Sequence, residues 1–165
     1  AAVILPPGLE IPGLNDSKKL TDKKRRELYD IMIEQAVSYG IAFASEQEID
    51  EINILQATYE AMRQAIGNLS VKPDLLLNDA VTIPNVEIPQ VPIIKGDAKS
   101  ISIAAASIIA KVYRDRLMVQ YDEIFPGYGF AGNKGYGSQA HMEAIRTLGP
   151  TPIHRRSFIK NIILY

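Results

Sequence analysis

Short apolar runs, too brief for helices, alternate along this chain with longer segments of helical period, and this alternation narrows the fold more than any other feature. Ala2 to Leu5 is closed by Pro6-Pro7-Gly8, a strong stop. Ile41 to Ser45 follows a break at Tyr39-Gly40. Leu75-Leu76-Leu77 stands between Pro73-Asp74 and Asn78-Asp79, and Val91 to Ile94 runs into Lys95-Gly96-Asp97. Each reads as a strand. Between them the period changes. Thr21 caps a charged helix over residues 22–38, with Leu28, Ile31, Met32, Gln35 and Ala36 on one face. Ser45 and Glu48 have the spacing of a capping box that opens another helix. Residues 53–68 form a longer helix with Ile54, Leu55, Tyr59, Met62 and Ile66 inward. Residues 100–123 are helical with a small face, Ala104, Ala105, Ala106, Ser107 and Ala110, that permits close packing. Residues 126–138 are punctuated by glycine, His141 to Leu148 is a short helix, and Ser157 to Tyr165 fits helix or strand. Strands alternating with helices predict an α/β domain. The first two strands are expected to be antiparallel, which makes the sheet mixed.

Composition bounds the function classes. The chain's 165 residues suit a single domain with a substantial core. A formal net charge of −1 means that any surface for nucleic acid must be a local one. The absence of cysteine excludes disulfides and thiolate metal sites and fits a reducing, cytoplasmic setting. No apolar run reaches the ~18 residues of a membrane span, and no signal peptide is visible. There is no Walker phosphate loop, no dinucleotide Gly-x-Gly-x-x-Gly, no Gly-x-Ser-x-Gly elbow and no zinc-ligand spacing.

Two carboxylates stand out by position. Asp79 ends the run Leu75-Leu76-Leu77-Asn78, and Asp97 follows Ile93-Ile94-Lys95-Gly96. A lone Asp after a strand is ordinarily a turn or cap former. Two neighbouring strands that both end in Asp place both carboxylates at one sheet edge, where α/β domains carry their sites. Hard oxygen ligands grouped this way suit Mg2+ or Mn2+. Asp115, flanked by Lys111, Arg114 and Arg116, reads as an ion-paired helix residue. Asp16 reads as a turn or cap residue, beside Ser17, Lys18 and Lys19 as a phosphate-binding cluster or a solvated surface. Gly135 and Gly137 flank Tyr136 and leave its ring little cover, so that it can stack on a base or sugar while Lys134 meets phosphate. His154-Arg155-Arg156 places three candidate cations in a row.

Taken in order, several segments resemble the type 2 ribonucleases H, the bacterial ribonuclease HII family. They are Gly13-Leu14-Asn15-Asp16-Ser17-Lys18-Lys19-Leu20, Leu77-Asn78-Asp79-Ala80 and Ile94-Lys95-Gly96-Asp97-Ala98-Lys99-Ser100. Further on come Ile103 to Asp115, the Tyr128 to Gly137 loop, and His154-Arg155-Arg156-Ser157-Phe158. The resemblance implies a ribonuclease H-like fold, a mixed central sheet flanked by helices, over a single domain 1–165 with a C-terminal substrate-binding helical part at about 138–165. It implies a monomeric enzyme, an endonuclease that cuts the RNA strand of RNA–DNA hybrids and single ribonucleotides in duplex DNA by two-metal catalysis with Mg2+ or Mn2+. Asp79 and Asp97 match the third and fourth of the family's four carboxylates, catalytic and metal-binding. Tyr136 matches the tyrosine that stacks on the sugar at the junction. Lys18 matches a basic position near the substrate backbone, with Ser17 and Lys134 as further substrate contacts.

One departure shapes the expectations. The family's first strand carries an adjacent Asp-Glu pair and then a Gly-Arg-Gly loop, and both precede the point that matches Ala1. Asp50-Glu51 and Asp122-Glu123 lack the glycines and fall in helical segments. The chain is therefore read as lacking its N-terminal strand, with an open slot in the sheet, and as inactive by itself. The alternative is a non-catalytic nucleic-acid-binding module of the same fold.

Overall fold

Two short pairs of strands, each beside a helix that outlasts it, organise the chain. The computed structural model describes residues 1–14 and 19–163. The chain divides into two compact units, residues 1–43 with 58–112 and residues 44–57 with 113–165. Among the described residues, no helix is long and apolar enough to cross a membrane.

In the first unit, β1 (Ala2–Ile4) pairs antiparallel with β2 (Ser38–Gly40), Val3 opposite Tyr39. The helix between them, α1 (Asp22–Gln35), is capped as expected, with the Thr21 hydroxyl accepting from the Lys24 amide at 3.2 Å. It ends earlier than its sequence suggests. Ala36 is already extended and the Val37 amide donates to the Ile4 carbonyl at 2.8 Å, so β1 captures the residues read as the helix's last turn. The second strand accordingly lies at residues 38–40 and not at Ile41 to Ser45. The next helix, α2 (Glu46–Gly67), is broken at Asn53, whose φ of 70° and ψ of 165° leave the helical region. Both halves are capped. Ser45 and Glu48 form the reciprocal box, at 2.7 and 3.1 Å, and the Asn53 side chain accepts from the Gln56 amide at 3.1 Å. Of the expected inward face, Tyr59, Met62 and Ile66 are half-buried. Ile54 and Leu55 are exposed, and Ala57 and Ala65 are buried.

Strands β3 (Leu76–Asp79) and β4 (Gln90–Ile93) pair in parallel, Leu76 with Gln90 and Asp79 with Ile93. Gln90 organises the connection between them. Its Oε1 accepts from the Asn78 side chain and from the Ile83 amide, both at 2.8 Å, and its Nε2 donates to the Ile83 carbonyl at 2.9 Å. A four-residue helix absent from the sequence reading, α3 (Gly96–Lys99), leads into α4 (Ile101–Ile124). The core of this unit joins Leu28 and Met32 of α1 to Ala104, Ala105, Ile108, Ile109 and Val112 of α4, with Ile11 and Leu14 over them.

Among the described residues the two strand pairs do not join. β1 bonds with β2, β3 with β4, and a cavity of about 270 Å3 lies between β1 and β3. Residues 1–4 line one side and residues 75–79 the other, above Ser102, Ala106, Ser107 and Ala110 of α4. The small face predicted for α4 therefore borders an opening as well as the core.

The second unit contains α5 (Phe130–Asn133), α6 (Gln139–Leu148) and α7 (Arg156–Ile163), which settles the tail as helix. Met118, Tyr128, Phe130, Ile145 and Ile159 form its core. Asp50 sits at the start of α7. Its carboxylate accepts from the Arg156 amide at 2.6 Å, the Ser157 amide at 2.9 Å and the Ser157 hydroxyl. The Ser157 bonds hold its carboxyl below the usual range. Asp50 thus caps a helix distant in sequence, a structural use that agrees with leaving Asp50-Glu51 out of the site.

Candidate active site

The parallel register carries Asp79 to the C-terminal end of β3, opposite Ile93. The Ala80 amide donates to the Ile93 carbonyl at 3.0 Å and prolongs the pairing by one residue. The chain then turns sharply, with Lys95 left-handed at φ 55°, and enters α3. This turn brings the Gly96 amide to Asp79 Oδ1, at 3.0 Å. Glycine leaves room for this approach. A Cβ on residue 96 would lie 2.6 Å from Ile103 Cδ1 and 3.4 Å from the Asp79 Cα. Asp97 follows directly and is 8% exposed, whereas Asp79 is exposed. The structure therefore places Asp79 at the carboxyl end of β3, in a parallel pair where α/β domains carry ligands, and Asp97 in α3, one residue beyond the amide that bonds Asp79.

The donor chemistry suits one hard divalent ion: carboxylate oxygens, with the Gly96 amide occupying only part of Asp79. The number of ligands is short for two ions. Among the described residues no group of three His, Cys, Asp or Glu side chains is placed to hold a metal. Ser17 and Lys18, and Asp16 beside them, lie outside the described residues.

In the second unit the glycine loop is built around a residue that the sequence reading passed over, Asn133. Its side chain donates to the Tyr128 carbonyl at 2.7 Å and accepts from the Gly135 amide at 2.8 Å. Its carbonyl accepts from the Tyr136 amide at 2.9 Å. Lys134 and Gly135 both take positive φ, 54° and 82°. The turn fixed in this way leaves Tyr136 67% exposed, as the flanking glycines predict. Lys134 is half-buried, and its carbonyl accepts from Arg114 Nη2 at 3.3 Å.

His154 is not the surface cation expected from His154-Arg155-Arg156. It is buried and stacked on His141, ring centroids 5.3 Å apart, beside Tyr128 and Phe130. The amide and hydroxyl of Thr151, at 2.9 and 2.8 Å, both point at His154 Nδ1, which must therefore accept. Its proton is on Nε2, 3.3 Å from His141 Nε2, and His141 Nδ1 lies 3.0 Å from the Tyr128 carbonyl, which can only accept. The hydrogen bonds run in one direction and need a neutral His154. Burial, with His141 next, lowers its pKa from 6.5 to about 4. The unfolded chain takes up this proton first, so stability is full above pH 6.5 and declines as pH falls towards 4. The loss expected over that window is about 3 kcal/mol. Urea unfolding at pH 7 and pH 4.5 measures it, and His154→Gln should flatten the dependence. An unchanged slope in that variant would remove His154 as its source.

Comparisons with known proteins identify the family. The family model described as ribonuclease HII matches residues 5–161. A ribonuclease HII of Lachnoclostridium phytofermentans is 71% identical over 161 residues, covering 98% of this chain and 63% of that protein. That of Clostridioides difficile is 56% identical over 163 residues, covering 99% and 64%. The chain thus spans a little under two thirds of the length of these relatives. Among solved structures, the ribonuclease H2 of Pyrococcus horikoshii superposes with a TM-score of 0.74 at 28% identity, covering 91% of this chain and 80% of that one. With the family model matching nearly end to end and relatives this similar, the chain belongs to the ribonuclease HII family.

Proposed function

We propose that this chain is the core of an endonuclease that hydrolyses the RNA strand of RNA–DNA hybrids and cuts at ribonucleotides embedded in duplex DNA. The observation that carries the reading is the pairing of Asp79 with the turn that delivers Asp97, in a chain matching the ribonuclease HII family. These carboxylates would hold Mg2+ or Mn2+. Divalent ions at such a centre supply an activated hydroxide and stabilise the leaving oxygen. The protein's own part is positioning. Asp79, exposed and tied to Gly96, presents hard oxygen, while the exposed ring of Tyr136 takes the sugar at the junction. Lys134, Lys18 and Ser17 meet the phosphate backbone. The 2′-hydroxyl is the group that marks the ribonucleotide. The enzyme acts as a cytoplasmic monomer in this reading. The lack, among the described residues, of any group of three or more side chains placed to hold a metal favours a second reading, a nucleic-acid-binding module that does not cut.

The test is cleavage of duplex DNA containing one ribonucleotide, with Mn2+ or Mg2+, by this chain with and without an added strand peptide that carries an Asp-Glu pair. Cleavage at the ribonucleotide supports the nuclease, and binding without cleavage supports the module. Stacking on a sugar or base is worth roughly 1–3 kcal/mol. Tyr136→Ala is therefore expected to slow cutting at the isolated ribonucleotide more than cutting of a long hybrid, where other contacts compensate. Equal losses on both substrates would exclude a junction-reading role for the ring.

A further inference from the structure

Tyr136 rises from a segment whose two ends are tied to one oxygen atom. The Tyr128 carbonyl accepts from Asn133 Nδ2 at 2.7 Å, and His141 Nδ1 lies 3.0 Å from the same oxygen and carries the proton between them. Asn133 closes α5 and leads into the segment, and His141 stands in the first turn of α6, just beyond it. Two donors occupy both lone pairs of a carbonyl. The anchor is itself fixed. Tyr128 is buried, its hydroxyl donates to the Gly149 carbonyl at 2.6 Å, and its ring stacks on Phe130 with centroids 5.6 Å apart. Behind His141 the hydrogen bonds continue to His154 and Thr151, so a buried partner sets which nitrogen of His141 donates. Between the two ties the backbone is bonded at each step. The Tyr136 amide donates to the Asn133 carbonyl at 2.9 Å, the Tyr136 carbonyl accepts from the Ser138 amide at 2.8 Å, and the Ser138 hydroxyl accepts from the His141 amide at 3.2 Å. Lys134 is held at a φ of 54°, a conformation that a lysine keeps only where its surroundings fix it.

We propose that Asn133 and His141 are positioning residues for substrate recognition, which clasp the Tyr128 carbonyl from the two ends of the loop and so hold the Tyr136 ring ready for the sugar. This rests on the nuclease reading and deepens it, from the ring that makes the contact to the pair that aims it. Gly135 and Gly137 give the segment a conformational freedom that the ring's task cannot use. The two ties remove that freedom before binding, so less ordering is left to be done on contact. The proposal separates the two nitrogens of His141. An asparagine at position 141 brings an amide nitrogen to about the place of Nδ1 and keeps the tie to Tyr128. A glutamine brings its amide to about the place of Nε2, keeps the side towards His154 and loses the tie.

The experiment is fluorescence anisotropy of the full chain with a short labelled DNA duplex containing one ribonucleotide, in EDTA, at a temperature where thermal melts show every variant folded. Tyr136→Ala is expected to weaken binding about tenfold, the loss of one stacking contact. His141→Gln and Asn133→Asp each remove one donor from the Tyr128 carbonyl and should weaken binding about three- to fivefold. Asn133→Asp keeps the oxygen that accepts from the Gly135 amide, at a half-buried position. His141→Asn should bind within about twofold of the unaltered chain although it melts lower, because the smaller side chain leaves a void. In a Tyr136→Ala background, His141→Gln or Asn133→Asp should change binding by less than about twofold, since the clasp acts through the ring. Exchange of the Gly135 and Tyr136 amides, followed by NMR against the Met118 amide in the core of the same unit, should quicken about tenfold in His141→Gln and stay near the unaltered rate in His141→Asn. Equal losses from His141→Gln and Asn133→Asp with and without the Tyr136 ring would overturn the clasp, as would His141→Asn binding as weakly as His141→Gln. Failure of the unaltered chain to bind the duplex, or a Tyr136→Ala chain that binds as well as it does, would overturn the nuclease reading of this loop and the clasp's role with it. A loss in Tyr136→Ala that shows no coupling to either residue overturns the clasp alone.

Discussion

A peptide carrying an extended strand with an adjacent Asp-Glu pair, added to the 165-residue chain, is expected to raise cleavage of ribonucleotide-containing duplex by about two orders of magnitude or more over background. The reasoning begins with hydrogen bonds. Among the described residues β1 and β3 each pair on one side only, and the opening of about 270 Å3 lies between residues 1–4 and 75–79. Unpaired strand edges are templates for a further strand, and a strand entering between two edges is bonded on both sides. The floor of the opening is made of Ala106, Ser107 and Ala110, small enough to let a backbone lie close. The opening also runs to Asp79, so a carboxylate pair borne by the entering strand arrives beside the carboxylate proposed above as a metal ligand. Two cations close together need more negative charge than Asp79 and Asp97 provide, and an Asp-Glu pair supplies it. The chain alone is accordingly expected to cut at background level.

Three controls make the result specific. A peptide of the same composition in scrambled order should restore nothing. The same strand with Asn-Gln in place of Asp-Glu should bind but leave cleavage at background. Asp79→Asn in the restored system should return activity to background with an unchanged melt. Robust cleavage by the chain without peptide, or near-normal turnover in Asp79→Asn, would refute the assignment of the metal ligands.

Local signals were legible in the sequence wherever a residue type does one thing. Thr21 and the Ser45–Glu48 box cap helices because their oxygens reach amides three residues on. Asp79 was legible as the last residue of a strand run, and the parallel register agrees, whereas Asp97 lies beyond β4 in the short helix α3, which has no periodic signature. What escaped depends on partners far away in the chain. Residues 36–38 continue a helical pattern, yet pairing with β1 outweighs a marginal last turn. Ile54 and Leu55 have the spacing of a core face, but the break at Asn53 rotates the helix that follows, and alanines take the buried positions. The link from Gly96 to Asp79 spans seventeen residues, and the His141–His154 chain thirteen. Neither has a periodic signature.

Gly40 is the strongest instance of a residue whose meaning is not local, and Gly40→Ala is expected to be the most destabilising single methyl in the first unit. In sequence, Tyr39-Gly40 reads as a helix stop. In the structure Gly40 ends β2, where a Cβ would lie 2.0 Å from the Ala65 carbonyl oxygen, 3.1 Å from its carbon and 3.2 Å from Asn68 Cβ. The obstruction is the backbone of α2, which cannot swing aside as a side chain could. Nor can β2 retreat cheaply. Asn68 donates to the Ile41 carbonyl at 2.9 Å, and the Ser70 amide and hydroxyl bond Ser38 at 2.9 and 3.0 Å. Overpacking with such constraints costs about 3 kcal/mol or more, a large share of a net stability of ~5–15 kcal/mol. Gly67→Ala is the matched control. That position, the last of α2, has open space around a new methyl, and alanine there should be neutral or add up to about 1 kcal/mol. Urea unfolding of the two variants side by side measures the difference. Because β2 pairs with the strand that walls the opening, Gly40→Ala should also weaken capture of the added peptide, at a urea concentration of zero and on chain still folded. If Gly40→Ala unfolds within about 0.5 kcal/mol of the unaltered chain, the ordinary range for a surface change, the close approach of β2 to α2 is not a feature of the molecule in solution.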